Sequence, residues 1–509
     1  MRRRTNCPRR ARLIANCSTL ILGLGFVMAL DATCTAIAFS PATFRGPSHN
    51  SGLFAPPEQH SSRHRCTRAS RSRLHAITDA PDDQTDATEE GSVFGASLLF
   101  AGTAIGAGML ALPAETAASG FVPSESSLFL CWAFTFITSL ITLEASWTVV
   151  RDPTKEGSGF LSITRSTLGP IGEIVTGLLF WFLLSSIVIA YTSEGGELIS
   201  ELVQQQFGTT ASGTVLSPQI GSTAFMAFFA SLAIFGTERV DIVNRVLVFG
   251  LITTFLGLCG IGIPQIDTSL LSRANWGTIY PEVISVGILS FGAQNVVPTL
   301  LQYLGGDAGR TRKAVLIGSL IPLLMYTLWE AVFLGIVPWD PDTSGSKMQV
   351  VTALGASGGT LVQELVEVFS ACSIGSSMAG ASVSLVDFFQ DFIVTEFGDN
   401  SSKADTIEDS FVRTRLVAAA VALLPALGFA CTYPDAFLGV LEIVGLLGAV
   451  SLYGILPSLS VINLRQNKSD ESMPGRLPGG AIALYCIIAI SVGLIVPDVI
   501  QLLGQGLAL

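Results

Sequence analysis

Eleven apolar segments follow one another after residue 92, and this succession restricts the chain to a bundle of membrane-spanning helices. Each segment is near or above the ~20 residues that a helix needs to cross the hydrocarbon core of a bilayer. Only 13% of all residues are charged, whereas soluble domains carry about 25%. The predicted spans are 93–118, 127–150, 171–203, 219–236, 242–264, 282–304, 313–337, 361–392, 412–430, 434–462 and 478–504. The expected fold class is therefore an all-α polytopic membrane protein with about 11 transmembrane helices.

The basic residues of the links between spans predict the orientation of the bundle. With the N-terminus placed inside, the outside links hold two basic residues, Arg273 and Lys347. The inside links hold fourteen: Arg151, Lys155, Arg165, Arg239, Arg245, Arg310, Arg312, Lys313, Lys403, Arg413, Arg415, Arg465, Lys468 and Arg476. Positively charged loops are retained on the inside, so we call that side inner and the opposite side outer. Eleven spans then place the C-terminus on the outer side.

Residues 1–75 differ in composition from the rest of the chain. They contain twelve Arg and two acidic residues, a net charge of +10, so the remaining residues carry −21 of the total of −11. A basic start, an apolar stretch and Ala36-Ile37-Ala38 predict a signal peptide over 1–38, and residues 39–75 are transit-peptide-like. The acidic segment 76–92 is expected to be a disordered tail that precedes the bundle at 93–509.

The two-part leader, with Phe39 directly after the predicted cleavage site, resembles those of nucleus-encoded proteins in algae with secondary plastids. That resemblance implies a plastid membrane, the inner envelope, as the destination of the mature chain. A plain secretory signal or a first membrane anchor is the alternative, and it implies the plasma membrane or another endomembrane.

The first span contains residues that interrupt a helix. Its stretch FAGTAIGAGMLALP (100–113) holds Gly102, Gly106 and Gly108 and closes on Pro113. One interpretation is close helix packing, because Gly102-x-x-x-Gly106 is a small-residue contact motif. The other is a broken helix whose freed N–H groups and half-helix dipole suit a carboxylate.

The sixth span repeats the pattern and favours the second interpretation. It carries Gly292 and Pro298 in an uncharged segment, together with Gln294 and Asn295, which are costly in lipid unless they line a cavity. The first and sixth spans open two sets of five spans. Interrupted segments at matching positions in two halves predict an inverted-repeat transporter with a substrate site near the bilayer midplane.

Five stretches resemble the aromatic amino acid permeases, the tyrosine/tryptophan permease branch of the amino acid–polyamine–organocation superfamily. They are GASLLFAGTAIGAGMLALP, AYTSEGGELI, FGAQNVVPTLLQYLGGD, FSACSIGSSMAGASVSLVDF and LYGILP, in spans 1, 3, 6, 8 and 10. The resemblance covers about 90–509. It implies a 5+5 inverted repeat of the leucine-transporter type, with helices 1 and 6 broken.

The resemblance also implies a substrate site at the two breaks and an ion site beside the first break. The substrate-site residues are Thr103, Gly106, Ala107 and Gly108 for a carboxylate, and Phe291, Gly292 and Ala293 for an ammonium group. The ion-site residues are Ser376 and Ser377 with the carbonyls of Gly102, Ile105 and Ser373. Relatives often have His where this chain has Gln294, and Gly or Asp where it has Asn295. Because neither residue titrates, a proton switch in the sixth span is not expected.

Other polar residues inside spans add candidates. Glu194, Glu197 and Glu442 are candidate proton carriers for ion coupling, because a carboxylate within a span is costly unless it functions. Tyr191 and Phe291 are candidate substrate contacts that can stack on an aromatic ring. Glu144 and Glu330 lie near predicted span ends, and their carboxylates are expected to reach the membrane–water interface.

These features predict a secondary active transporter for aromatic or other neutral amino acids, working by proton-coupled symport and alternating access. A sodium-coupled carrier of amino acids or other small solutes is the alternative, and a transporter-like sensor or a channel is a remote one. The predicted partners are an amino acid, H⁺ or Na⁺, and the lipid bilayer. The sequence has no nucleotide-binding or hydrolase motif, and its scattered cysteines have no metal-site spacing, so we expect no enzyme activity, no cofactor and no nucleic-acid partner.

Overall fold

The computed structural model describes most of the chain after residue 90, and the elements in this part are helices without a strand. The described residues are 91–106, 108–150, 159–207, 217–235, 237–339, 359–397, 407–434, 437–467 and 476–506. The predicted leader over 1–75, the acidic segment except its last two residues, and Ala107 lie outside the described residues. The interpretations attached to them stay predictions.

The predicted number of spans is confirmed within the described residues. Ten helices are long and apolar enough to cross a membrane, and a bent pair brings the count to up to eleven. In chain order the spans are Val93–Ala104 with Gly108–Thr116, Phe121–Val150, Phe160–Phe207, Pro218–Phe235, Thr237–Gly262, Glu282–Ser290 with Val297–Tyr303, Ala308–Ile336, Thr360–Phe397, Ile407–Thr432, Phe437–Asn467 and Gly480–Gly506. An outer link between the fifth and sixth spans carries short helical turns at Ile263–Gln265, Thr268–Leu271 and Trp276–Thr278.

The first span is broken, as predicted, into an inner half (Val93–Ala104) and an outer half (Gly108–Thr116). The axes of the two halves are bent by 54°. Ile105 ends the inner half in an extended conformation, with φ −76° and ψ 114°. Pro113 does not form the break but lies inside the outer half. The interruption therefore falls where the glycines cluster.

The sixth span is broken at the matching position. Its outer half, Glu282–Ser290, ends at Phe291, which has φ −88° and ψ 4°. The chain resumes as one 3-10 turn at Gln294 and continues as the inner half, Val297–Tyr303. Pro298 stands in the first turn of that inner half, where its missing N–H has no partner to lose. The proline thus starts a half-helix.

Two other spans depart from the simple helices that the sequence predicts. The third span begins at Phe160, earlier than residue 171, and bends at Gly169, whose φ of 76° and ψ of −167° favour glycine. The tenth span is π-helical over Val444–Ile455, a rare geometry that often marks functional regions. A Cβ on Gly445 would lie 2.3 Å from the Ser285 carbonyl, so this segment packs closely on the outer half of the sixth span.

The inner halves of the first and sixth spans pack together with the second and seventh spans. A core cluster joins buried residues of all four, including Phe100, Leu143, Val297 and Val315. A Cβ on Gly318 would come within 2.7 Å of the Ser97 carbonyl, so glycine is what permits the first and seventh spans to approach this closely. This packing places the two breaks beside each other.

Candidate functional site

The two breaks meet beneath one hydroxyl group from the seventh span. The Tyr326 hydroxyl lies 2.8 Å from the Ala104 carbonyl and 3.1 Å from the Ser290 carbonyl, the acceptors at the ends of two half-helices. Tyr326 is fully buried, and its ring lies 5.1 Å from that of Phe291. These carbonyls lie where their helices end and therefore lack a helical N–H donor. The Tyr326 hydroxyl, shared between them, links the break of the first span to the break of the sixth. The sequence analysis missed Tyr326, although a tyrosine in an apolar span generally needs a polar partner.

Gly108 makes the contact between the outer halves of the first and sixth spans. A Cβ there would lie 2.3 Å from Ser290 Oγ and 3.1 Å from Ser290 Cα. The Cβ side of Gly108 is therefore filled by protein and not by a substrate. Contact of its N–H group with a carboxylate stays a prediction.

Gly106 makes a matching contact with the eighth span. A Cβ on Gly106 would lie 2.2 Å from Ser377 Oγ. Ser377 also forms a hydrogen bond with the Tyr191 side chain, and Tyr191 lies close enough to Tyr326 for their hydroxyl groups to interact electrostatically. The ring of Tyr191, which is nearly buried, packs 6.2 Å from Phe437. The structure thus brings Gly106, Tyr191 and Ser377 to the junction of the breaks.

The packing interpretation of the first-span glycines is wrong at Gly102. Gly102 is exposed, and a Cβ there would meet no atom within 4 Å. Thr103 is also exposed, and its hydroxyl donates to the Leu99 carbonyl at 2.9 Å. Of Gly102 and Gly106, only Gly106, which follows the end of the inner half, lies in close contact with a neighbouring span.

The serines of the predicted ion site differ in their hydrogen bonding. Ser376 Oγ donates to the Ser373 carbonyl at 3.1 Å, the backbone contact that serines in apolar helices often make. Ser373 is fully buried, and its Oγ has no hydrogen-bond partner among the described residues. Ile105 is partly buried beside the break. Ion binding by this group stays a prediction.

Gln294 and Asn295 differ in burial: the first is enclosed by protein and the second is exposed. Gln294 is fully buried, and its Nε2 donates to Thr138 Oγ1 at 3.0 Å, which turns the amide group toward the second span. Its Oε1 has no partner within the described part of the chain. Asn295 is exposed, and Ala293 is fully buried. Of these two polar residues, Asn295 is the one presented to an open space.

Exposure differs sharply between the inner and outer halves. On the sixth span the exposed residues Asn295, Thr299, Gln302 and Tyr303 form one stripe with helical spacing. The outer halves, by contrast, contain no exposed residue over 108–116 or 282–290. Since amide and hydroxyl side chains are costly against lipid, the stripe indicates water that reaches the breaks from the inner side.

The three predicted coupling carboxylates lie on the third and tenth spans and not on that stripe. Glu194 and Glu197 are partly buried on the third span and have interactions of their own. Glycine Cβ positions between them would meet Phe225 and Ser222, so this segment packs on the fourth span. Glu442 is also partly buried, and it belongs to a group of carboxylates, with Glu282 and Asp498, around Tyr280 near the outer end of the sixth span. Their part in coupling stays a prediction.

The expectation that Glu144 and Glu330 reach the interface is wrong. Glu144 is 2% exposed and accepts hydrogen bonds from Arg465 Nε and Nη2, both at 2.7 Å. It also accepts the Leu477 N–H at 2.8 Å, so its charge is fully paired. Glu330 is 0% exposed, and one of its oxygens has no partner in the described residues. A carboxylate in a membrane bundle can thus be buried near a span end when packing covers it.

Comparison with known proteins extends over most of the chain. Residues 89–497 match the model of the tryptophan/tyrosine permease family. Tyrosine-specific transport system 1 of Haemophilus influenzae is 26% identical over 408 residues, which cover 78% of this chain and 94% of that protein. A tryptophan-specific transport protein of Pseudomonas aeruginosa is 30% identical over 318 residues, 59% of this chain and 72% of that protein. Glutamine transporter 2 of Aliivibrio fischeri is 26% identical over 384 residues, 74% and 91% of the two chains.

A solved structure supports the fold. A nucleobase-cation-symport-1 family transporter in a closed conformation, with bromovinylhydantoin bound, has a TM-score of 0.53 and 15% identity over 81% of this chain and 91% of that chain. A similarity at this level of identity concerns the fold alone. It confirms the predicted leucine-transporter type of bundle, with its two broken helices.

Proposed function

Since the chain belongs to the tryptophan/tyrosine permease family, we propose that it is a secondary active transporter of aromatic or other neutral amino acids. The observation that carries the proposal is the meeting of the two breaks under Tyr326. A zwitterion needs N–H donors for its carboxylate and carbonyls for its ammonium group. The start of one half-helix and the ends of others provide both kinds of group within one small region.

The surroundings of the breaks favour an aromatic side chain on the substrate. Three aromatic residues, Tyr191, Phe291 and Tyr326, lie at this junction, and aromatic rings prefer contact with one another. Relatives named for tyrosine and tryptophan transport agree with this preference. The relative named for glutamine is the reason to keep other neutral amino acids in the proposal.

Alternating access is proposed as a rocking of spans 1, 2, 6 and 7 against the other spans. In this view the described conformation is open to the inner side. The exposed stripe at Asn295, Thr299 and Gln302 supports that assignment, as does the burial of both outer halves.

Proton coupling is preferred to sodium coupling for a local reason. Ser376 Oγ donates to the Ser373 carbonyl, the backbone contact that serines in apolar helices commonly make, so its position is explained without a cation. Sodium stays the second candidate, because Ser373 Oγ is buried without a partner among the described residues and Ser377 lies beside the first break.

Uptake by the purified protein in liposomes tests the proposal. Vesicles loaded with unlabelled tyrosine should take up labelled tyrosine by exchange, and unlabelled tryptophan or glutamine added outside should compete according to substrate preference. Empty liposomes and excess unlabelled lysine serve as controls. Absence of exchange with every neutral amino acid would reject the transporter proposal, and competition by glutamine but not tryptophan would reject the aromatic preference.

For the location, we propose a plastid envelope membrane. The basic two-part leader over 1–75 supports it. A fluorescent protein fused after residue 75 should enter the plastid in an algal cell with a secondary plastid. Delivery to the plasma membrane or another endomembrane would favour the plain secretory alternative.

A further inference from the structure

We propose that the carboxyl pair of buried Glu330 and half-buried Glu125 binds the proton that drives transport, an inference that rests on the proposed proton-coupled amino acid transport. The pair joins three spans on the outer side of the breaks. Glu330 Oε2 lies 2.5 Å from Thr116 Oγ1 of the first span, and Glu125 Oε2 of the second span accepts a hydrogen bond from Thr327 at 2.7 Å. Thr327 and Glu330 are one turn apart on the seventh span.

The contacts of Thr116 are consistent with the protonated form of Glu330. A threonine hydroxyl has one proton to donate. Thr116 Oγ1 lies 2.9 Å from the Leu112 carbonyl, which can only accept, as well as 2.5 Å from Glu330 Oε2. When Thr116 donates to Leu112, its contact with Glu330 is a hydrogen bond only if Glu330 donates. A neutral Glu330 satisfies both contacts at once.

Charge and burial support the same conclusion. Glu330 is 0% exposed, and neither Glu330 Oε1 nor Glu125 Oε1 has a hydrogen-bond partner within the described residues. No ion pair within the described ranges includes either residue. Two ionised carboxylates that interact without a cation, one of them fully buried, are strongly unfavourable. The pair therefore holds at least one proton in this conformation.

The other titratable groups around the pair are committed elsewhere or are neutral. Glu115 of the first span has its own interaction, and Cys259 of the fifth span is a buried thiol, which is neutral. In the outer link, Asp267 caps Ser269, and Arg273 donates to the carbonyls of Ala117 and Ala118. Within the described part of the chain, Glu125 is thus the charged group that acts on Glu330.

The position of the pair suits a coupling role. The outer link closes over it, because Asn275 N donates to the Ser119 carbonyl at 2.8 Å and a Cβ on Gly120 would collide with the Arg273 carbonyl. Opening of this link on the outer side would admit water, from which a proton adds to the Glu330 carboxylate. Tyr326 lies one turn away from Glu330 on the same face of the seventh span, so occupation of the pair can influence the breaks. The proton leaves to water when the inner side opens.

The test compares two assays on Glu330→Gln in liposomes without sodium. Tyrosine exchange needs no proton gradient and should persist. Accumulation under an imposed gradient of one pH unit, which supports up to about tenfold per coupled proton, should be lost, together with tyrosine-induced proton uptake read by an internal pH dye. Glu173→Gln is the matched control, because Glu173 is partly exposed and pairs with Arg165, and it should keep both activities.

Each outcome decides a different claim. Full pH-driven accumulation in Glu330→Gln would overturn the proposal while leaving the transporter assignment intact. Loss of both exchange and accumulation in a folded variant would show that Glu330 is needed for substrate movement in general, and this would contradict a role in proton coupling alone. If wild-type protein shows no exchange, the proposed function has failed. Should Glu330→Gln not insert, Glu125→Gln decides, since it should accumulate tyrosine with an altered pH profile, and an unaltered profile would contradict the pair.

Discussion

At the scale of single residues, Tyr326 and Gly108 make the contacts that bring the two breaks together. Tyr326 supplies one hydroxyl for two half-helix ends, and Gly108 supplies the space in which Ser290 fits. Neither contact can be read from the sequence, because both join residues that are far apart along the chain. The sequence analysis named Gly108 as part of the break and as a contact for a carboxylate, but it gave no sign of the contact with Ser290.

Tyr326→Phe should impair transport while the protein still inserts. The change keeps the ring against Phe291 but leaves two buried carbonyls without their shared donor, a cost of about 1–3 kcal/mol. We expect tyrosine exchange to fall about tenfold or more, the factor that corresponds to about 1.4 kcal/mol. Tyr485→Phe, an exposed tyrosine of the last span, should retain wild-type exchange. Equal exchange in both variants would show that the Tyr326 hydroxyl is not needed for transport.

Gly108→Ala should reduce tyrosine exchange, because the added Cβ would lie 2.3 Å from Ser290 Oγ and force the half-helices apart. Ser290→Gly in the same protein removes that atom and should restore part of the exchange. Gly493→Ala is the matched control, since a Cβ there meets nothing within 4 Å. Absence of rescue by Ser290→Gly would show that the loss has a cause other than this contact.

At the scale of helices, the sequence predicts most of the architecture. Apolar length and the distribution of basic residues were sufficient for eleven spans, and the glycines and prolines inside two of them were sufficient for breaks in the first and sixth. The predictions fail where tertiary packing decides. Pro113 is accommodated inside a half-helix, Gly169 lets the third span begin earlier, and the π-helical part of the tenth span has no pattern of its own.

The same distinction applies to the site residues. The glycines that break a helix are visible in the sequence because they oppose helix formation locally. The roles of Glu330 and Gln294 are not, because burial and the direction of an amide group depend on neighbouring spans. Charge alone suggested that Glu144 and Glu330 reach the interface, and packing reversed that prediction for both.

Asp307 begins the seventh span, and its loss should destabilise that helix. Its Oδ1 accepts the N–H groups of Gly309 and Arg310 at 2.7 and 3.0 Å, and the Arg310 bond is the main cause that lowers the pKa of Asp307. The stabilisation is thus present at neutral pH and is lost as the pH falls through the lowered pKa. Asp307→Ala should cost about 1 kcal/mol, measured by thermal unfolding in detergent.

Asp307→Asn is the control for this helix start, because an amide oxygen can cap the same N–H groups without a charge. It should retain most of the stability and lose the pH dependence that the carboxylate contributes. If Asp307→Ala unfolds at the wild-type temperature, the cap contributes nothing measurable.

At the scale of the whole molecule, the proposal of a bundle open on the inner side rests on the exposed stripe of the sixth span and on the burial of both outer halves. A cysteine placed at Thr299, on the exposed stripe, should react with a membrane-impermeant thiol reagent applied from the inner side. A cysteine at Val286, buried on the outer half of the same span, should not react from either side. Each cysteine is introduced into a variant whose native cysteines have been replaced. Reaction of the Val286→Cys protein from the outer side, with a protected Thr299→Cys, would reverse the assignment.

The central claim is that an amino acid binds where the two broken helices meet. An experimental structure of the purified protein with tyrosine bound tests it most directly. The account predicts the tyrosine carboxylate at the N–H groups that begin the outer half of the first span, and its ammonium group at the carbonyls around Phe291, with Tyr326 beside both. Tyrosine bound at another place in the bundle, with the Tyr326 contacts unchanged and no ligand at the breaks, would contradict it.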